Sequence, residues 1–274
     1  RKVRFVARDV PAMGYKAYGI RGWNPSAHKE NEKLAGDTIE NEFYRLTVDT
    51  RTGGLKSLYD KSAQRELLDA AAPYQLNEYL YVSGGEGSLI LNFTFGSPPA
   101  NLMVHRPEPA TITKVRKTPL GQRLIVETKS QNTPKVVSEY LLYDAVKRVE
   151  IVNTVEKHEV RAKEAVYFAF PFAARQPALE YQIQNGWCRP NEDQMPGACR
   201  EWFTPQNLVH VRDGDFSIAW STLDAPLATF TDINRGKWLA HLPIRNGHVY
   251  SYVMNNYWFT NYRAQQGGRF VFRY

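Results

Sequence analysis

The chain has 274 residues, of which 43% are hydrophobic and 23% are charged. These proportions exclude a disordered, collagen-like or disulfide-scaffold protein, and no run approaches 18 apolar residues, so no membrane helix is predicted. Lys and Arg exceed Asp and Glu by 35 − 28 = +7, but the charges are scattered over strand-like sequence, and neither a nucleic-acid nor a membrane partner is expected.

The first 36 residues predict the end of a preceding β-element followed by a linker. Residues 3–8 alternate apolar and basic side chains, as a strand does, and residues 21–37 are polar with interspersed glycine and proline. Strand-like sequence also runs to the last residue. We interpret the chain as a piece of a longer protein, with residues 1–36 as this lead-in and residues 37–274 as the main domain.

Short β-rich runs dominate the main domain. Residues 44–48 alternate apolar and polar side chains, and a turn at 50–54 precedes a second run at 55–59, which predicts a hairpin. Further runs lie at residues 89–95, 110–115, 123–128, 136–143, 148–155, 165–172, 208–211, 216–221 and 248–254. The best helical candidate, residues 66–80, is interrupted by Pro73. The pattern predicts an all-β protein built as a large sandwich, with little helix.

Two segments depart from the strand pattern. Residues 181–207 are poor in β-branched residues and hold two tryptophans and both cysteines, which predicts a long, functional loop. Cys188 and Cys199 could pair across this loop or remain free thiols. Residues 250–262 hold six aromatic residues and three asparagines. Aromatic faces and amides suit a sugar ring, whereas composition alone favours core aromatics with asparagines that cap turns.

Sequence signals for catalysis are weak. The six histidines form neither HxH nor HExxH, and no phosphate-binding loop or GxSxG motif is present. The paired carboxylates Glu192 and Asp193 would point in opposite directions on extended chain, while Asp213 and Asp215 flank a glycine and are typical of a turn.

Several stretches resemble the C-terminal β-domain of family 38 glycoside hydrolases, the α-mannosidases. Residues 39–49 and 52–61 resemble the strand–turn–strand that opens this domain, and residues 10–18 resemble the strand that leads into it. Residues 148–153 and 164–172 are similar to later strands, and residues 255–262, with Gly267 and residues 272–274, are similar to a late segment of bacterial relatives. The resemblance implies a galactose-mutarotase-like antiparallel β-supersandwich.

The resemblance also implies that the chemistry lies outside this chain. In the family, the aspartate nucleophile and the zinc site belong to an N-terminal domain, and nothing here matches those motifs. No catalytic residue, metal ligand or cofactor is therefore assigned. The expected function is a non-catalytic domain, inactive alone, that packs on the catalytic domain of the same polypeptide and shapes a cleft for α-mannosides. By analogy, Asn256, Trp258 and Asn261 face this cleft, with Trp187 and Arg189 next.

Two alternatives belong to other functional classes. One is a stand-alone carbohydrate-binding module. The other is an aldose mutarotase or epimerase, in which His158 or His105 with Glu164 would supply the acid and base that flank a sugar ring. Turnover of a sugar by the isolated chain would favour the enzyme, and binding without turnover would favour the module.

Overall fold

The computed structural model describes residues 5–19, 22, 32–85, 101–234, 237, 239–257 and 261–274. This part of the chain contains β-strands and no α-helix, and none of it forms a helix that could span a membrane. The strands are β1 Glu32–Lys33, β2 Thr38–Glu40, β3 Tyr44–Val48, β4 Leu55–Asp60, β5 Arg65–Glu66, β6 Tyr79–Ser83, β7 Met103–His105, β8 Thr111–Thr118, β9 Gly121–Ser130, β10 Thr133–Tyr143, β11 Val149–Lys157, β12 Glu164–Phe172, β13 Pro177–Ile183, β14 Gly186–Cys188, β15 Leu208–Asp213, β16 Phe216–Ser221, β17 Ala228–Phe230, β18 Gly247–Asn255 and β19 Gly268–Arg273. The all-β expectation is confirmed.

The largest sheet has six antiparallel strands in the order β1-β8-β9-β10-β11-β19. The first part of β10 follows a period of two: Val136, Ser138, Tyr140 and Leu142 are buried, and two of the three positions between them are only partly buried. Successive side chains point to opposite faces of a strand, so one face of this sheet covers the core. A tight turn at Gly121 joins β8 to β9.

The central sheet has five strands in the order β17-β18-β12-β6-β7, and its middle strand β12 is buried on both faces. All nine residues of β12 are buried. Val166, Phe168 and Phe170 join the main core, whereas Ala165 and Tyr167 belong to a second apolar cluster on the opposite face. A strand that is covered on both sides has a continuous apolar sequence. Residues 165–172 were predicted correctly as a strand for this reason.

Two four-stranded sheets complete the fold, in the orders β2-β3-β4-β5 and β14-β13-β15-β16. The predicted hairpin of residues 44–59 is confirmed as β3 and β4. The loop expected over residues 181–207 is partly wrong, because β13 continues to Ile183 and pairs with β14. The turn between them contains Asn185 with φ of 61°, and Asn-Gly is a strong hairpin signal.

The strand-like lead-in of residues 3–8 is not a strand where the structure describes it, because residues 5–19 form none. Lys33, assigned to the linker, pairs with Arg116 of β8. The domain boundary near residue 37 stays a prediction, and the run at residues 89–95 lies outside the described residues.

A buried amide pair joins the six-stranded sheet to the chain that leads into β6. Asn77 and Asn153 exchange side-chain hydrogen bonds of 2.9 and 2.7 Å, and Ser138 donates to the same Asn153 oxygen at 2.8 Å. Buried polar groups are costly unless they are paired, so this network favours one arrangement of the two sheets. It fixes the start of β6 and, through β12, the end of the central sheet where the candidate site lies.

Candidate functional site

The described residues between β18 and β19, 256–257 and 261–267, lie beside the start of β12 and border a cavity of about 430 Å³. Asn256 anchors this turn. Its side-chain amide donates to the carbonyl oxygens of Ala162 at 2.6 Å and Ala264 at 2.8 Å, and its backbone N–H donates to that of Glu164 at 2.8 Å. Asn256 is buried, so its amide hydrogens hold the walls of the cavity together.

The cavity wall combines amides, a guanidinium and aromatic rings. The lining residues are Met254, Asn255, Asn256, Tyr262, Arg263, Gln265, Gln266, Gly267 and Phe270. Amide and guanidinium N–H groups donate to hydroxyls, and amide oxygens accept from them, while Tyr262 and Phe270 offer apolar surface. This mixture of groups suits a polyol with C–H faces, such as a sugar.

Glu159 braces the outer wall of the cavity. Arg263 Nη2 lies 2.9 Å from Glu159 Oε2, and the Gln265 side-chain amide donates to the other carboxylate oxygen. The Arg263 side chain is 71% exposed, so Glu159 orients the guanidinium while most of its surface remains open to a ligand.

A fully buried ion pair lies beneath the cavity. Lys157 Nζ contacts Glu164 Oε1 at 2.6 Å, with both side chains inaccessible to solvent. The same ammonium donates to the carbonyl oxygens of His158 at 2.9 Å and Gln266 at 3.2 Å. Tyr81 donates to the second Glu164 oxygen at 2.6 Å, and burial, followed by the Glu164 bond, raises the pKa of this phenol. All three ammonium hydrogens therefore have acceptors, as a buried charge requires.

The buried contacts of Glu164 argue against the mutarotase alternative. Both oxygens of Glu164 are engaged inside the protein, so its carboxylate does not face a sugar ring. His105 bonds Ser83 through Nε2 at 2.8 Å. The geometry gives Glu164 and Lys157 a structural role in holding β11, β12 and the chain before β19 together.

The structure separates the predicted site residues into two groups. Asn256 and the exposed Asn261 belong to the chain between β18 and β19, whereas Trp258 lies outside the described residues. Trp187 lies on β14 in a different sheet, 47% exposed, with Arg189 directly after that strand. A substrate-binding role for these five residues stays a prediction.

Arg189 is engaged by the neighbouring carboxylates. It lies 2.7 Å from Glu192 and 2.9 Å from Asp193, and the Arg189 hydrogen bonds lower the pKa of Asp193 to about 2. Asp213 accepts the backbone N–H groups of Arg175 and Gln176, which agrees with the predicted turn role. Asp213 also lines a cavity together with Glu66 and Asp69, and its carboxylate forms an ion pair with Arg65.

Residues 262–266 are the part of the site that the sequence analysis did not assign. Tyr262 was counted among the clustered aromatics, but Arg263, Gln265 and Gln266 were not named. The available signal was the polar run of Asn, Arg and two Gln that follows the aromatic cluster. Alternation is absent in this run, and no periodic pattern indicates that it folds back against β12.

The structure gives the arrangement of metal-ligating side chains and the state of the two cysteines in the described part of the chain. No group of three or more His, Cys, Asp or Glu residues there is placed to hold a metal ion. Cys188 is buried, Cys199 is exposed, and both are free thiols, which decides the alternative that the sequence left open.

The fold defines an all-β domain of packed antiparallel sheets with a polar, aromatic-lined cavity at one end of its central sheet. The sequence model described as the glycosyl hydrolases family 38 C-terminal domain matches residues 39–225, well over half of the chain. The chain belongs to this family.

Solved structures show the same architecture. An α-mannosidase from Enterococcus faecalis V583 aligns with a TM-score of 0.62 and 13% identity, over 93% of this chain and 30% of that chain. A glycosyl hydrolase family 38 protein from Enterococcus faecalis aligns with a TM-score of 0.59 and 12% identity, over 95% of this chain and 31% of that chain. The chain therefore spans about a third of the length of these two proteins.

A galactose mutarotase-like protein from Lactobacillus casei ATCC 334 aligns with a TM-score of 0.47 and 13% identity, over 86% of this chain and 97% of that chain. A search of curated protein sequences found no match.

Proposed function

We propose that this chain is the non-catalytic β-domain of an α-mannosidase-like glycoside hydrolase. In this role it packs on the catalytic domain of the same polypeptide and contributes part of the rim of its carbohydrate cleft. The observation that carries the proposal is the family match over residues 39–225. It is supported by the alignment of nearly the whole chain with about a third of an α-mannosidase, which leaves most of that enzyme for other domains.

The composition of the cavity at the β18–β19 turn supports a role in sugar contact. Arg263 and the amides of Gln265 and Gln266 project from an irregular segment that a rigid sheet and the buried Asn256 hold in place. Binding residues are often carried on such loops, positioned by a stable scaffold. We therefore assign the sugar-facing rim to residues 261–267 together with Asn256.

The first test follows an α-linked mannobiose by proton NMR for several hours with the isolated chain. We expect no free mannose and no accelerated anomeric exchange, because the described lining of the cavity contains no carboxylate or imidazole. Release of mannose would refute the non-catalytic assignment. Accelerated anomeric exchange would favour the mutarotase alternative, and saturation transfer to an intact disaccharide would favour a stand-alone binding module.

The second test concerns Arg263 in the polypeptide that carries this chain with its catalytic domain. Arg263→Gln removes a charged donor from the rim, and a hydrogen bond to a charged group is worth about 1.5–3 kcal/mol. We expect KM for an α-mannoside to rise about 10-fold or more, with the unfolding temperature unchanged because the side chain is mostly exposed.

Arg148→Gln is the matched control. Arg148 is a 60% exposed arginine that pairs with a carboxylate, as Arg263 does. It precedes β11 whereas Glu159 follows it, so the length of that strand, roughly 26 Å, separates the two residues. The assignment of the rim is wrong if both variants change KM equally, or if Arg263→Gln lowers the unfolding temperature in proportion to activity.

A further inference from the structure

A second cavity, of about 390 Å³, lies in the segment between β14 and β15. It is lined by Gly197, Ala198, Cys199, Arg200, Glu201, Leu239 and Ala240. The residues that line it differ from those of the β18–β19 cavity, and neither the family match nor the proposed function assigns it a role.

Arg200 is the unusual residue of this cavity. It is only 7% exposed, and its one described hydrogen bond runs from Nη1 to the Ala198 carbonyl oxygen at 3.0 Å. Its Nε is buried without a hydrogen-bond partner, and within the described residues no carboxylate forms an ion pair with it. Lys157, the other deeply buried cation discussed above, has both a carboxylate and two carbonyl oxygens.

A buried guanidinium without an anion is unfavourable. Arginine stays protonated in proteins and offers five N–H donors, and a buried charge is tolerated when it is paired and hydrogen-bonded. A carbonyl oxygen carries only a partial charge and meets one of those donors. An oxyanion that enters the cavity would supply the negative charge that the described residues do not place beside the guanidinium.

Two further lining residues narrow the class of anion. Leu239, which also packs against the main core, and Ala240 add apolar surface to the wall. The cavity therefore suits a monoanionic carboxylate with a short hydrocarbon portion better than it suits phosphate.

We propose that this cavity binds a small aliphatic carboxylate, with Arg200 as its anion-binding residue. The carboxylate pairs with the guanidinium, and its hydrocarbon portion lies against Leu239 and Ala240. The proposal is independent of the function assigned to the β18–β19 cavity.

The test uses Cys199, which is exposed and lines the same cavity, as a reporter in the isolated chain. Its alkylation by neutral iodoacetamide is followed by mass spectrometry while butyrate replaces chloride at constant ionic strength. We expect butyrate to slow alkylation at least threefold with saturation, and phosphate to protect less. Cys199→Ser identifies the labelled site by losing the signal.

Variants of Arg200 show whether the guanidinium is responsible. Arg200→Met removes the protection by butyrate, Arg200→Lys retains it at higher butyrate concentration, and Arg148→Met, which changes an exposed arginine in another part of the chain, leaves it intact. The proposal is overturned if butyrate does not slow alkylation of the unsubstituted chain, if phosphate protects as well as butyrate, or if Arg200→Met remains folded and protected. The first two outcomes are measured without a variant of Arg200. The proposal can therefore still be refuted if Arg200→Met does not fold.

Discussion

Glu164→Gln is the substitution that tests the interior of this fold most directly. It removes the charge that neutralises Lys157, while the new amide oxygen still accepts from Tyr81. Lys157 and Glu164 are both inaccessible to solvent and lie 2.6 Å apart, so the ammonium is left with the carbonyl oxygens of His158 and Gln266. Removal of one partner from a buried pair costs about 3–5 kcal/mol, and for a domain of this size the unfolding temperature falls by about 6–15 °C.

The assay is urea unfolding at pH 7, with the unfolding temperature measured in parallel. Glu108→Gln is the control, because Glu108 pairs with Lys129 at 3.1 Å but both side chains are more than half exposed. An exposed pair contributes about 0–1 kcal/mol. A loss for Glu164→Gln no larger than that of the control would refute the argument that the buried charge needs its partner.

A double variant separates charge pairing from packing. Lys157→Met together with Glu164→Gln leaves no isolated buried charge, so its free energy of unfolding falls by less than the sum of the two single losses. Residues in direct contact give coupling energies of about 0.5–3 kcal/mol in such cycles. Strict additivity would show that the two side chains act independently and that the ion pair has no part in holding β12.

Two further substitutions test the backbone and the pH dependence. Gly121 has φ of 145°, and a Cβ there would overlap the carbonyl oxygen of Leu142, so Gly121→Ala should unfold at clearly lower urea concentration than a Gly→Ala change at an unhindered position. The Arg51 guanidinium, together with the Gln75 amide, holds the pKa of Asp49 well below its usual range. A carboxyl whose pKa is lowered on folding stabilises the protein above its unfolded pKa of about 3.9 and loses that contribution as pH falls. Asp49→Asn should therefore flatten the decline in stability below about pH 4, measured by urea unfolding, and an unchanged decline would contradict the assignment.

Strands that face the core on one side were predictable from alternation. Residues 44–48 alternate because one set of side chains packs inward and the other is partly or fully exposed, and this local pattern is visible without knowledge of the partner strand. Residues 165–172 were recognisable for the opposite reason, because β12 is covered on both faces and is apolar throughout.

Short strands were not predicted by the same reasoning. β6 begins in the last two residues of the stretch considered for a helix, residues 66–80, and β14 pairs only residues 186–188 with β13. A strand of three residues is too short to show a period, and its existence depends on pairing with a neighbour that the local sequence does not specify. The Asn185-Gly186 dipeptide is the available signal for the turn, but it lies within residues 181–207, which the sequence analysis predicts as a long loop.

The sequence analysis singled out one segment that borders the cavity, but the composition of the cavity wall was not predictable. The aromatic and asparagine-rich segment that begins in β18 does border the cavity. The residues that complete the wall, Arg263, Gln265 and Gln266, take their positions from Asn256 and Glu159. Trp187 and Arg189 share the local chemistry of that segment, yet they lie at another sheet.

The sequence by itself determined the all-β class and the positions of the longer strands. It also determined the resemblance to the family 38 C-terminal domain and the absence of recognisable catalytic motifs. Each of these depends only on local pattern or on motifs in a fixed order. Tertiary structure alone decided which charges are buried. Lys157 and Glu164 are ordinary charged residues in the sequence, and Arg200 lies in a segment without periodicity. Their burial results from the packing of distant strands and turns around them, which brings a counter-charge to Lys157 and leaves Arg200 facing a cavity.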